Sequence, residues 1–167
     1  MKRLLPIFLA CAFLIFALSG CAHVVSKDLR DQVDKRVNVE DMFAHPAQYE
    51  GKTVMLGGVI IQTKVLEDGS EIVALEKPLD QQGRPRDTDL SRGRFIVHHP
   101  DQLDPAIFSP WREITVVGVV TGYETRKLDE AEFTYLTLDA KAVYILKGTA
   151  ADRHIPVSFG LGVFQSF

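Results

Sequence analysis

The run His98-His99-Pro100-Asp101 has the residue types of a metal site but not the spacing. Adjacent residues of a strand point to opposite faces, so His98 and His99 cannot close on one ion; His99 with Asp101 supplies two ligands where zinc takes three or four. Nothing in the sequence draws His23, His45 or His154 toward them. No metal site is expected, and the pair reads as histidines exposed at a turn.

A second group is basic. Arg84, Arg86, Arg92 and Arg94 cluster around a long polar stretch, Lys77 to Ser91, from which an anionic sugar or a small acid could be held. Nucleic acid is the wrong ligand for it: Asp80, Asp87 and Asp89 interleave with the arginines, and the formal net charge is -3. Base stacking needs exposed aromatics in a basic groove, whereas the single Trp111 follows a proline. A solvated, self-neutralising loop is the plainer reading. Arg84, Arg92 and Arg94 are kept as the rim of an alternative, ligand-binding interpretation. For hydrolysis there is no nucleophile elbow, no carboxylate pair with one member in an apolar setting, and no H-E-x-x-H helix; Ser19 and Ser109 lack a base partner. Neither enzymatic activity nor a cofactor is expected.

The remaining reactive group is a thiol, and its surroundings give it a role. Met1-Lys2-Arg3 is a charged start, Leu4 to Leu18 is an uncharged apolar run too short to cross a bilayer as a permanent anchor, and polar sequence follows Cys21. That is the layout of a secretion signal over residues 1–20. Leu18-Ser19-Gly20-Cys21 resembles the lipobox of bacterial lipoproteins, which implies cleavage between Gly20 and Cys21 and a diacylglycerol on the Cys21 sulfur, followed by an N-acyl chain. At about 0.8 kcal/mol per buried methylene, two or three chains exceed the one-chain limit for stable membrane attachment. In enterobacterial lipoproteins Asp after the lipidated cysteine retains the protein in the inner membrane; Ala22 points to the outer membrane. Cys11 leaves with the signal, so no disulfide is expected, and loss of Lys2 and Arg3 takes the formal charge to -5.

The elements that must position these residues are mostly strands. Residues 21–37 are polar, too poor in apolar residues for a core face, and read as a lipidated tether or loosely attached helix. A short helix is expected next, with Asn38 as N-cap, Glu40 and Asp41 in the first turn, Met42 and Phe43 inward, and Pro46 as its limit. Five strands are expected over 53–66, 71–75, 94–98, 113–123 and 133–146, with a hairpin turn at Glu67-Asp68-Gly69-Ser70. A short helix around Leu103, Ile107 and Phe108 separates the third from the fourth. Between the last two strands, Glu124, Asp129, Glu130 and Glu132 are expected to keep Thr121 to Glu132 as a solvated loop. This order is that of the OB-fold, the five-stranded Greek-key barrel, and Gly57, Gly58 and Gly118 fall mid-strand where a small barrel must coil sharply. The fold class is therefore all-β, with an OB-like barrel over 38–147 and a Gly/Phe-rich tail over 148–167. In the tail, residues 157–167 alternate large apolar with small side chains, as an edge strand or a contact patch would.

Tyr49-Glu50-Gly51-Lys52-Thr53-Val54-Met55-Leu56-Gly57-Gly58-Val59-Ile60 resembles the Slp family of outer-membrane lipoproteins, named for starvation-inducible members. Glu76-Lys77-Pro78-Leu79-Asp80, Gly93-Arg94-Phe95, Leu103-Asp104-Pro105 and Ile114-Thr115-Val116-Val117-Gly118 extend the resemblance over about Val37 to Leu146. It ends before the tail, where this chain has Phe and Gly in place of Gly, Trp and Tyr. The resemblance implies an envelope location and no established enzymatic activity. Together these readings lead us to expect a non-catalytic component held in the outer membrane by lipid on Cys21 and facing the periplasm. Its contacts would be with envelope proteins or glycan, and it would serve envelope integrity or a stress response.

Overall fold

The computed structural model describes residues 23–128 and 130–146. The expected signal, the Gly20–Cys21 junction, the lipidated Cys21 and the 148–167 tail lie outside the described residues. Two short helices, α1 (Lys27–Arg30) and α2 (Val39–Ala44), and a 3-10 turn (Pro46–Tyr49) precede five strands: β1 (Thr53–Leu66), β2 (Gly69–Lys77), β3 (Arg94–His99), β4 (Glu113–Leu128) and β5 (Ala131–Ile145). They close a barrel in the order β1-β2-β3-β5-β4, with β3 and β5 parallel and every other pair antiparallel. This is the connectivity of the OB-fold, as expected from the strand order.

Closure depends on β1 serving both sides. Gly57, Gly58 and Val59 pair with Lys77, Glu76 and Leu75 on β2 and at the same time with Thr115, Ile114 and Glu113 on β4. A strand so placed coils sharply, and its neighbours crowd it. A Cβ on Gly57 would press on Leu79 Cδ2 and sit 2.8 Å from the Lys77 carbonyl oxygen, and one on Gly58 would sit 2.9 Å from the Phe95 ring. On β4, a Cβ at Gly118 would lie 2.7 Å from the Asp139 carbonyl, at a register shift between Val117 and Gly118. These three glycines are thus required by close approach as well as by curvature.

The barrel is filled by the alternate residues that period-two patterning turns inward, among them Leu56, Ile72, Phe95, Val116 and Leu138. At one end Met42 enters the same cluster from α2, whose start is capped as predicted: the Asn38 side chain accepts from the N–H groups of Glu40 and Asp41. At the other end Leu103 and Phe108 pack against it.

Three local expectations are changed. The segment read as a tether or loosely attached helix contains the short helix α1 and is docked from Val24 onward: Val25 is buried, the Val24 N–H donates to the Gln82 carbonyl, and the Asp34 N–H donates to the Thr53 carbonyl. Between β3 and β4 the expected helix shrinks to a single turn, in which the Phe108 N–H reaches the Asp104 carbonyl at 2.9 Å; Pro105 and Pro110 leave no room for more. The acidic loop between β4 and β5 is instead paired strand down to Leu128 opposite Ala131. Its acids do not simply repel, because Arg126 and Lys127 alternate with them; Lys127 stands opposite Glu132, and Arg126 bonds Glu124.

Candidate functional site

In OB-folds the outer face of strands 2 and 3, flanked by the β1–β2 and β4–β5 connections, is where ligands are held. On this chain the face is built from the residues of β2, β3 and β5 that alternation turns outward. Val73, Ile96 and Tyr135 form a small apolar cluster there, separate from the barrel core, and are buried. The long β4–β5 hairpin reaches across it. From that hairpin Arg126 donates to both carboxylate oxygens of Glu71 on β2, at 2.8 and 2.6 Å, and to Glu124 at 2.8 and 2.9 Å. Lys64 lies 3.7 Å from the same Glu71 carboxylate.

The electrostatics follow from this geometry. Hydrogen bonds from Arg126 hold the Glu71 and Glu124 carboxyls below their ordinary values, against the opposing effect of burial. The guanidinium is driven further into its charged form, first by Glu71 and then by Glu124. With Glu71 only 7% exposed, its charge is tolerated because a bidentate partner faces it.

The predicted ligand rim is placed differently from a free cationic rim. Glu76, on β2, is 2% exposed, and its two oxygens take the Arg92 backbone N–H at 2.8 Å and the Arg92 guanidinium at 3.0 Å. A bound acid would have to compete with that buried carboxylate. Arg94 lies with its guanidinium 5.4 Å from the centroid of the Phe133 ring and donates to the Tyr135 hydroxyl at 3.2 Å. In Arg84 the backbone N–H donates to the Asp80 side chain at 2.8 Å, closing the 80–84 turn. The three arginines thus belong to three separate local arrangements.

Nor are the histidines gathered. His99 Nδ1 accepts from the Asp101 N–H at 3.1 Å, with the Asp101 carboxylate at 3.9 Å, while His98 pairs across the strands with Glu71. His45 bonds Asp41 one helical turn away. Among the described residues no group of three or more potential metal ligands is found.

Sequence reasoning missed Glu71, Glu76, Arg126 and Trp111. The signal for the two glutamates was present: single acids flanking the apolar Ile72-Val73-Ala74-Leu75 run, in a strand buried almost throughout. A charge in such a strand needs a partner. For Trp111 the signal was weaker, a large aromatic directly after Pro110 in a turn.

The sequence profile of the outer membrane lipoprotein Slp family matches residues 18–158. An uncharacterized protein of Haemophilus influenzae is 30% identical over 132 residues, which make up 76% of this chain and 69% of that protein. A solved structure from Leishmania major Friedlin, described as an aspartyl-tRNA synthetase, aligns with 81% of this chain and 26% of its own, at a TM-score of 0.40 and 10% identity. The chain belongs to the Slp family of outer membrane lipoproteins, and its location is the outer membrane.

Proposed function

We propose that this protein is a non-catalytic component of the cell envelope, held on the periplasmic side of the outer membrane by lipid on Cys21 and contributing to envelope integrity through contacts with protein or glycan. The match of the lipoprotein family across Cys21 carries the reading. The state of the OB-type face supports the non-catalytic part: there Arg126 neutralises Glu71 and Glu124, and at the end of β2 Arg92 likewise neutralises buried Glu76. Such a face acts as a rigid wall for partner contacts.

The test is of processing and location. Globomycin, or the substitution Cys21→Ser, should leave an unprocessed or soluble form, and sucrose-gradient fractionation of the untreated cells should place the acylated protein with outer membrane markers. Unchanged processing and membrane association after Cys21→Ser would overturn the anchor. Crosslinking in intact cells then identifies the partner.

A further inference from the structure

The turn entering β4 carries a side chain that its own surroundings do not explain. Trp111 adopts φ +72, alone among the non-glycine residues described, and is 72% exposed. A left-handed conformation costs an L-residue about 1–2 kcal/mol, and glycine or asparagine takes it more readily. Here the largest side chain occupies it and buries little in return. The backbone is held there by the Trp111 N–H donating to the Ile60 carbonyl at 2.8 Å and the Ile60 N–H donating to Arg112 at 2.9 Å. This sets Trp111 across from Ile60, next to which Ile61 is also exposed, and the Arg112 guanidinium ties the turn to the carbonyl of exposed Ile107 at 3.2 Å. Three large apolar side chains therefore stand out around one rigid turn.

The course of the N-terminal segment indicates what they meet. Asp34 bonds Thr53, which is level with Val119 on β4; ten residues earlier Val24 bonds Gln82, beside Gly83, whose carbonyl takes the Thr115 hydroxyl. Followed backward, the chain climbs β4 from Val119 to Thr115, about 13 Å of strand, and so heads toward Trp111, about as far again. Cys21 is three residues before Val24, a reach of about 10 Å. The acyl chains would therefore enter the bilayer on the side of the molecule that presents Trp111.

We propose that Trp111, with Ile61 and Ile107, enters the headgroup region of the phospholipid leaflet in which the acyl chains lie, as a second membrane contact that fixes the orientation of the barrel. This rests on the anchoring proposed above. Tryptophan suits the task because its ring is apolar and its indole N–H still finds polar partners at that depth.

The chain has one tryptophan, so emission reports on this turn alone. The full acylated protein is reconstituted into phosphatidylethanolamine–phosphatidylglycerol vesicles, with and without brominated acyl chains. Vesicle flotation reads the anchor independently of emission. The expected result is loss of most Trp111 emission in brominated vesicles, little quenching by aqueous iodide, and recovery of iodide access in Ile107→Glu, a substitution at an exposed position. Floating protein quenched by iodide and not by bromine would overturn the membrane contact and leave the anchor standing. Floating protein shielded from both quenchers would overturn it in favour of a protein contact. Protein that fails to float would overturn the anchoring reading and this inference with it.

Discussion

Arg126 in the β4–β5 hairpin grips both carboxylate oxygens of Glu71 on β2, 55 residues earlier, at 2.8 and 2.6 Å. The pair joins the far end of the hairpin to the OB-type face. Removing one partner of a largely buried pair leaves a charge without compensation, so Arg126→Met should cost about 2–3 kcal/mol in urea unfolding, discounted from the fully buried case because the arginine is partly exposed. Combining it with Glu71→Gln should recover a good part of that loss. Strict additivity of the two single changes would show that the pair is not coupled.

The same pair sets part of the acid response. Glu71 and Glu124 are depressed by Arg126, and Asp34 is depressed well below the usual carboxylate range by its bonds from Arg36. A folded value below the unfolded one contributes stability that is complete above the unfolded value of about 4 and is lost as pH falls through the folded value. Melting temperature, as far as these carboxylates govern it, should hold from neutral pH down to about pH 5 and decline below about pH 4. In Arg126→Met the decline should be shallower. An identical acid limb in the variant would remove Glu71 and Glu124 from the account.

Arg92 offers a choice between a structural and a binding role. If its main task is to neutralise buried Glu76, Arg92→Met should lower stability by about 3 kcal/mol and Glu76→Gln should partly restore it in the double variant. A melt unchanged by Arg92→Met would return the residue to the ligand rim.

Glycine substitutions separate lack of space from backbone conformation. Gly57→Ala and Gly118→Ala push a methyl to 2.8 Å and 2.7 Å from the Lys77 and Asp139 carbonyl oxygens, and should cost about 2–4 kcal/mol or prevent folding. Gly51 has nothing within 4 Å but φ +77, so Gly51→Ala should cost only about 1 kcal/mol. Equal losses at all three positions, measured by denaturant midpoint, would argue against the crowding of β1 and β4.

At Trp111 the direction reverses. Trp111→Gly relieves the left-handed strain, offset by the unfolded-state freedom of glycine, and should leave the melt unchanged or raise stability by up to about 1 kcal/mol. A large destabilisation would mean that the ring packs more than its exposure suggests.

Much of the barrel was legible because its signals are local. Alternation over 53–66, the Asn38 cap and the mid-strand glycines each depend on a few neighbouring residues, and the structure places them as read; the expected four-residue turn tightens to Glu67-Asp68, because Gly69 and Ser70 already pair with Leu66 and Val65. The β4–β5 hairpin was misread where charge counting outweighed pairing: Glu124 and Glu132 suggested repulsion, but Lys127 comes opposite Glu132 once the strands lie side by side, and in the extended strand Arg126 bonds Glu124 two residues away.

The sequence by itself determined the strand order and the expectation of a lipidated Cys21, since periodicity, turn chemistry and a leader with its cysteine are written in consecutive residues. Only the tertiary structure decided that Arg92 serves Glu76, that Arg126 serves Glu71, and that Trp111 is held outward in a left-handed turn. The physical reason is that a buried charge is satisfied by whatever the closed barrel brings within about 3 Å, and a backbone is strained by whatever holds it in space. Separation along the chain encodes neither.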